Sequence, residues 1–233
     1  MTALTIVQTT CGMLGLRQPA IVFASTDNQV IQLRGLMNQS GFQLAKVHQW
    51  QGITREKTFT TVAQEVQTGA IPTDFDRFVD NSMFNRSTAR QIYGPLTEVD
   101  WQQYKAYPIY TTMNSAFMMR GNDLYFQPNP DAGNTCAYSY VSTYWCESSS
   151  GTDQTAMAAD TDVALIPEAL ISLDIAWRFK KAKGFDYSEE YRTFQEQMRQ
   201  TTARDGGAPR LNLAYGLNRF RPYPYNIPDG NWP

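Results

Sequence analysis

The side chains able to carry chemistry in this sequence are few, and their spacing limits what that chemistry could be. The single histidine, His48, stands just before Trp50 near the end of a helix-forming run. A lone imidazole there reads as a structural or capping residue rather than a catalyst. Cys11, Cys136 and Cys146 are odd in number and lack CxxC spacing, so they imply neither a disulfide framework nor a zinc site. They read as small buried or half-buried side chains. The chain has no GxSxG, HExxH or GxxxxGK[ST] run, so the sequence signatures of a nucleophile elbow, a zinc protease and a phosphate cradle are missing. Carboxylates do come in pairs, Asp74 with Asp76 and Glu189 with Glu190. A glycosidase needs an acid and a base about 5 to 9 Å apart across a cleft, which spacing along a chain cannot establish. Asp74 and Asp76 flank Phe75, and the neutral reading is a turn leading into a strand. The expectation is a protein that is not an enzyme and holds no cofactor and no metal.

Charge and composition narrow the class further. With 20 basic and 22 acidic side chains the formal net charge is −2, which makes no electrostatic case for gripping nucleic-acid phosphates. DNA sliding past without specific binding would need no such charge. No apolar run approaches the roughly 20 residues that cross a bilayer, and the N-terminus lacks the pattern of a secretory signal. A soluble protein of cytosolic origin is expected, with no membrane partner. A chain of 233 residues, 42% hydrophobic, can bury one good core and a second small one.

The elements that would position these residues start with residues 163–184, the most apolar helical run. Ile166, Ala169, Leu170, Leu173, Ala176 and Trp177 keep a 3.6-residue spacing, and Ile171, Ile175 and Phe179 widen the face. Pro167 suits a first turn and Gly184 the position past a helix end. Such a helix should be enclosed by neighbours. Its cations Arg178, Lys180, Lys181 and Lys183 sit where the macrodipole favours them, and they read as dipole partners and solvated tips.

Residues 2–14 should form a short helix that buries Ala3, Ile6, Val7 and Met13. A longer one, capped by Thr26 or Asp27, should run to about His48 on Val30, Leu33, Met37, Leu44 and Val47, with Gly35 and Gly41 compensated by close packing. From Arg55 the period shortens. Residues 57–72 read as a strand or hairpin, and short strands follow near Phe75, Phe84 and Ile92. Thr97 and Asp100 resemble a capping box opening a short helix. Phe117 to Phe126 is a hairpin about a Gly121-Asn122 turn. Residues 135–145 alternate as a strand paired nearby, and residues 148–155 read as a loop. A last helix capped by Asp186 or Ser188 should carry Tyr187, Tyr191, Phe194 and Met198 on one side and stop at Gly206-Gly207.

The expected fold is therefore α+β. A discontinuous helical bundle forms from residues 1–54 and 156–207, a β-rich insertion spans residues 55–155, and an extended C-terminal arm covers residues 208–233. The arm carries five prolines together with Tyr215, Phe220, Tyr223, Tyr225 and Trp232. Disordered tails are poor in aromatics, so this one reads as built to bury rings, either back over its own core or, as preferred here, against another subunit. Arg210, Phe220, Arg221, Tyr223, Tyr225 and Trp232 are the expected protein-interface residues.

Four segments in order, HQWQGITREKTFTTVAQ, IPTDFDRFVDNSMFNRSTARQIYGPLTEVDWQQYK, MRGNDLYFQPNPDAGNTCAYSYVSTYW and IAWRFKKAKGFDYSEEYRTFQEQM, resemble the head-to-tail adaptor (connector) proteins of tailed bacteriophages, of the kind called tail tubular protein A. The resemblance covers roughly residues 25–207. It implies a non-enzymatic structural virion protein, a dodecameric ring joining the portal protein to the tail nozzle protein around the DNA ejection channel, assembled in the host cytoplasm. A ring needs a different patch on each side of every subunit, which a protruding arm can supply. The portal-facing contacts are then expected in the arm, and neighbour or nozzle contacts in the β-rich insertion. Two other readings stay open: a virion-associated peptidoglycan hydrolase, which needs two carboxylates facing across a cleft, and another tail completion or nozzle protein, told apart by what it copurifies with.

Overall fold

In the computed structural model, residues 2–106 and 115–206 are described. The expected arm, with Arg210, Phe220, Arg221, Tyr223, Tyr225 and Trp232, lies outside the described residues. Within them the fold is mixed α+β, with five helices and a curled sheet.

Helix α1 (Ala3–Leu14) starts at Thr2, whose hydroxyl accepts from the Thr5 amide, and ends at Gly15 in the left-handed region with φ 67°. It buries Ala3, Ile6, Val7, Thr10 and Cys11. Met13, expected on that face, is 51% exposed; at that end of the helix Leu14 and Leu16 pack on the core instead. Helix α2 (Asn28–Val47) is capped by Asp27, which accepts from the Gln29 amide at 2.9 Å. Val30, Leu33, Met37 and Leu44 are buried as their spacing predicts, but Val47 is 67% exposed, because the helix ends there and His48 turns the backbone to an extended conformation.

Two short strands precede the sheet's hairpins. Beyond the 3₁₀ turn Gln51–Ile53, β1 (Thr54–Thr60) and β2 (Val66–Gln67) do not pair with each other, so residues 57–72 are not a hairpin. Then come β3 (Phe75–Phe78), β4 (Phe84–Asn85), β5 (Arg90–Tyr93) and helix α3 (Glu98–Ala106). At the start of α3 the Asp100 amide donates to Thr97 Oγ1 at 3.1 Å, and the Thr97 hydroxyl donates to the Asp100 carboxylate at 2.9 Å. Strands β6 (Ser115–Arg120) and β7 (Asp123–Gln127) form the expected antiparallel hairpin, with Gly121 at φ 63° in its turn.

Strand β8 (Thr135–Ser142) organises the sheet, and its partners are distant rather than nearby in sequence. All seven residues of β1 pair along one edge, while β3 and β4 share the other. From β4 the order runs through β5, β6 and β7 to β2, with β5 and β6 parallel. The face inside the curl buries Ile92, Phe117, Leu124, Phe126, Cys136 and Tyr138, with Phe59 and Phe78 packed against them. Edge-to-face contacts such as Phe78 to Phe117, centroids 5.2 Å apart, add to the burial of this second core.

The chain returns to the helices through a small sheet in which β9 (Cys146–Glu147) lies between β10 (Asp153–Gln154) and β11 (Val163–Ala164). Residues 163–166 were expected in the long apolar helix. They are outside it because the Val163 and Ala164 backbone pairs with β9 and the Leu165 amide donates to the Trp145 carbonyl at 2.9 Å. Helix α4 (Glu168–Lys183) starts one residue later, so Pro167 is its N-cap rather than part of its first turn, and Gly184 ends it at φ 77°. Helix α4 packs on α1, on α2 and on the final helix α5 (Ser188–Arg204), and is enclosed as its breadth of apolar surface predicts. The exceptions are Ala169, which is exposed, and Leu173 and Trp177, which are half-buried. Before α5, Asp186 accepts from the Ser188 amide at 3.0 Å, though the cap position itself belongs to Tyr187.

Trp50, Ile53, Trp145 and Cys146 join these helices in the first core. All three cysteines are free and buried. Burial pushes the Cys136 thiol up to about 11 and the Cys146 thiol up to about 12, the latter aided by the Asp162 and Asp153 charges. A thiol held protonated in the fold contributes stability that is complete below its unfolded value near 9 and is lost as pH rises toward the folded value. Urea midpoints should therefore fall between pH 8 and pH 10, and a thiol reagent should label none of the three in the native protein at pH 8 and all three in denaturant. Labelling of native Cys136 or Cys146 within minutes would contradict the burial.

Candidate assembly surface

A buried charge on α4 sets the shape of the surface outside it. The Asp174 carboxylate, 1% exposed, accepts from Arg178 Nε at 2.7 Å and from Trp177 Nε1 at 2.8 Å. Arg178 also donates to Gln43 on α2, so one guanidinium joins a helix neighbour to the buried carboxylate. The indole nitrogen is held inward and the rest of Trp177 lies against α5.

On that ring α5 places an aromatic strip. Tyr187, Tyr191, Phe194 and Met198 follow each other at spacings of four, three and four, one stripe of a helix. The Trp177 centroid lies 5.1 Å from that of Tyr191, 6.0 Å from Tyr187 and 6.5 Å from Phe194. Phe194 and Met198 are packed partly onto the core, yet α5 has no buried residue at all, and Tyr191 is 39% exposed. An open groove runs along this helix, lined by Tyr191, Phe194, Gln195, Met198 and Arg199.

The basic end of α4 has specific partners beyond dipole and solvent. Lys180 pairs with Glu190 across the turn, and that hydrogen bond holds the Glu190 carboxyl below its ordinary range. The Arg178 guanidinium lies 4.7 Å and the Lys181 ammonium 5.7 Å from the Trp177 centroid. Arg178 and Lys181 are thus part of the aromatic surface.

The other end of α5 is clasped. Asp205 accepts from the Gln51 amide at 3.0 Å, and His48 Nε2 lies 3.4 Å from the same carboxylate without making a hydrogen bond. With its ring edge-on to Trp50, His48 has the structural place at a helix end that was expected of it. Asp74 accepts from the Tyr140 hydroxyl at 3.0 Å and from Ser142 Oγ at 2.8 Å, tying the β3 approach to β8. Asp76 pairs with Arg77 at 2.6 Å, and Glu189 with Arg192 at 2.7 Å. Each of the four carboxylates singled out in sequence is thus engaged by a neighbour. Among the described residues no group of three or more histidine, cysteine, aspartate and glutamate side chains could hold a metal ion, and no helix is long and apolar enough to cross a membrane.

Further apolar side chains reach solvent on the helical side: Ile31 and Phe42 on α2, and Phe185 in the turn between α4 and α5. The Phe42 ring is covered by the Lys46 ammonium at 4.0 Å. The sequence pattern put the α5 stripe on one side of its helix but counted Trp177 among the buried residues. The signal for its half-exposed position was the cluster of cations around it.

The family model for the SU10 adaptor proteins matches residues 1–215. The chain belongs to this family. The SU10 adaptors are a phage head-to-tail adaptor family, so this member is a structural protein of the virion. The match takes in α1, which lies outside the residues that carry the resemblance read from sequence, and it extends past Arg210 but stops before Phe220. No curated protein matches the chain.

Proposed function

We infer that this adaptor is the subunit of a dodecameric ring between the portal protein and the tail nozzle protein, surrounding the channel through which DNA leaves the capsid. The observation that carries this reading is the family match across residues 1–215. It is supported by a helical surface that leaves Tyr191, Phe42 and Phe185 in solvent, where a ring's neighbours could cover them. The net charge of −2 suits a channel wall that lets DNA slide.

In this reading the helices of residues 1–54 and 156–207 form one helical bundle domain that carries residues 55–155 as a β-rich insertion domain, and residues 208–233 form an extended arm. Arg210, Phe220, Arg221, Tyr223, Tyr225 and Trp232 make the portal contacts. The insertion, including the β6–β7 hairpin, faces the neighbouring subunit or the nozzle.

Light scattering after size exclusion tests this with the protein alone and mixed with its cognate portal. The mixture should elute as one species, and the mass gained over the portal, divided by 26.4 kDa, counts the subunits. Separate elution at every concentration would exclude portal binding. Phe220→Ala with Trp232→Ala should cost about tenfold or more in portal affinity if the arm makes the contact, since buried aromatic anchors dominate such interfaces. Unchanged affinity would place the contact elsewhere.

A further inference from the structure

Two features on the helical side fit each other as a knob and a hole, and the knob is Phe185 in the turn between α4 and α5. Its amide donates to the Lys180 carbonyl at 3.0 Å, and the Gly184 amide donates to the Lys181 carbonyl at 3.1 Å, the paired bonds of a Schellman turn. Such a turn commonly tucks an apolar residue at this position against the helix it ends, yet Phe185 is 64% exposed. The turn already fixes its backbone, so burying the ring against a partner costs little further chain entropy. The hole lies between α1 and α2. It is a pocket of about 280 Å³ with buried Cys11, Val30 and Leu33 at its floor and exposed Arg17, Ile21 and Asp27 at its mouth. A cavity of about 150 Å³ is enough to hold a benzene ring, so this one admits a phenyl side chain.

We propose that Phe185 of one copy inserts into the α1–α2 pocket of the next, as one contact of the ring; the choice of a second copy as partner rests on the ring reading above. Within one chain the turn holds Phe185 in solvent while the pocket stays open, so the ring that fills it comes from another molecule. Knob and hole are different surfaces of the same chain. Their contact is therefore heterologous, the kind a ring requires, and cannot be closed by two-fold pairing. An aromatic anchor seated in an apolar pocket with a polar rim is also the usual form of a binding hot spot. Charge orients the insertion. Lys183 and Asp186 stand beside Phe185, and the pocket mouth likewise carries one charge of each sign, Arg17 and Asp27. One orientation sets Asp186 toward Arg17 and Lys183 toward Asp27, whereas the reverse opposes like charges.

The test uses the full-length protein alone at sub-millimolar concentration, with a photo-crosslinking benzoylphenylalanine in place of Phe185 and the products sized and mapped by mass spectrometry. Crosslinks at dimer mass or above, to residues 11–33 of a second copy, are expected. Products at monomer mass only, or crosslinks to any other surface, would overturn the proposal. Adding Ala20→Trp, at an exposed position lining the pocket, should lower the dimer yield about tenfold or more by blocking the hole. Equal yield from a variant whose circular dichroism matches the parent would equally defeat it. A final mixture pairs that blocked, photo-reactive chain with Phe185→Ser, which keeps its pocket and lacks the knob. The crosslink should return and stop at the dimer; its absence, or a ladder of larger products, would contradict a single knob-and-hole contact. Because no portal is present, a ring that fails to form on the portal leaves this result standing, and crosslinks elsewhere on a second copy sink this contact without touching the ring reading.

Discussion

Gly41→Ala should destabilise the protein by about 2 kcal/mol, while Gly35→Ala in the same helix should stabilise it by about 1 kcal/mol. Helix propensity alone gives both the same favourable sign, because alanine removes backbone freedom that glycine loses on folding. The surroundings reverse one of them. A methyl at Gly41 would sit 2.4 Å from carbons of the Trp145 ring, far inside contact distance, whereas nothing lies within 4 Å of one at Gly35. The indole cannot yield, since Trp145 is fully buried and its Nε1 donates to the Thr155 carbonyl at 2.6 Å. Urea unfolding of both variants measures the difference. Equal shifts of either sign would show that the α2 to Trp145 contact is looser than described.

Arg178→Met should cost about 3 kcal/mol, the usual penalty when one partner of a largely buried ion pair is removed. The Asp174 carboxylate, 1% exposed beside an Arg178 that is itself only 18% exposed, would keep the Trp177 indole as its remaining donor. Asp174→Leu combined with Arg178→Met removes the stranded charge and should recover most of that loss, as apolar replacements of buried pairs commonly do. A double variant no more stable than Arg178→Met would mean that the guanidinium's tie to Gln43, rather than the charge, holds α4 to α2. Because Asp174 also positions Trp177, the double variant should free the indole and change its emission.

The local elements were largely legible because their signals are local. Asp27 as a cap, Gly15 and Gly184 at positive φ, and Gly121 in a two-residue hairpin turn follow from the stereochemistry of single residues and spacing of a few. Where the reading failed, a partner distant in sequence decided the outcome. Val163 and Ala164 have the composition of a helix start, but β9 offers them a ladder. Residues 57–72 read as a strand or a hairpin, and distant partners select strands: β1 finds its seven partners on β8 and β2 finds its own on β7. Gly41 could be read as a close approach, but the approaching group, Trp145, could not be named.

By itself the sequence determined the helix caps, the turns, the alternation of the strands and the near-balance of charge, because each depends on neighbours within one helical turn or one hairpin. It also carried the family resemblance, through the order of segments rather than through any one motif. Only the tertiary structure decided that β8 lies between β1 on one side and β3 and β4 on the other, that the paired carboxylates are each held by a structural neighbour, and that Trp177 joins Tyr187, Tyr191 and Phe194 in one largely half-buried row. The physical reason is that strand pairing and ion pairing are long-range choices among several chemically similar partners. Composition cannot rank those partners; the packing of the whole chain does.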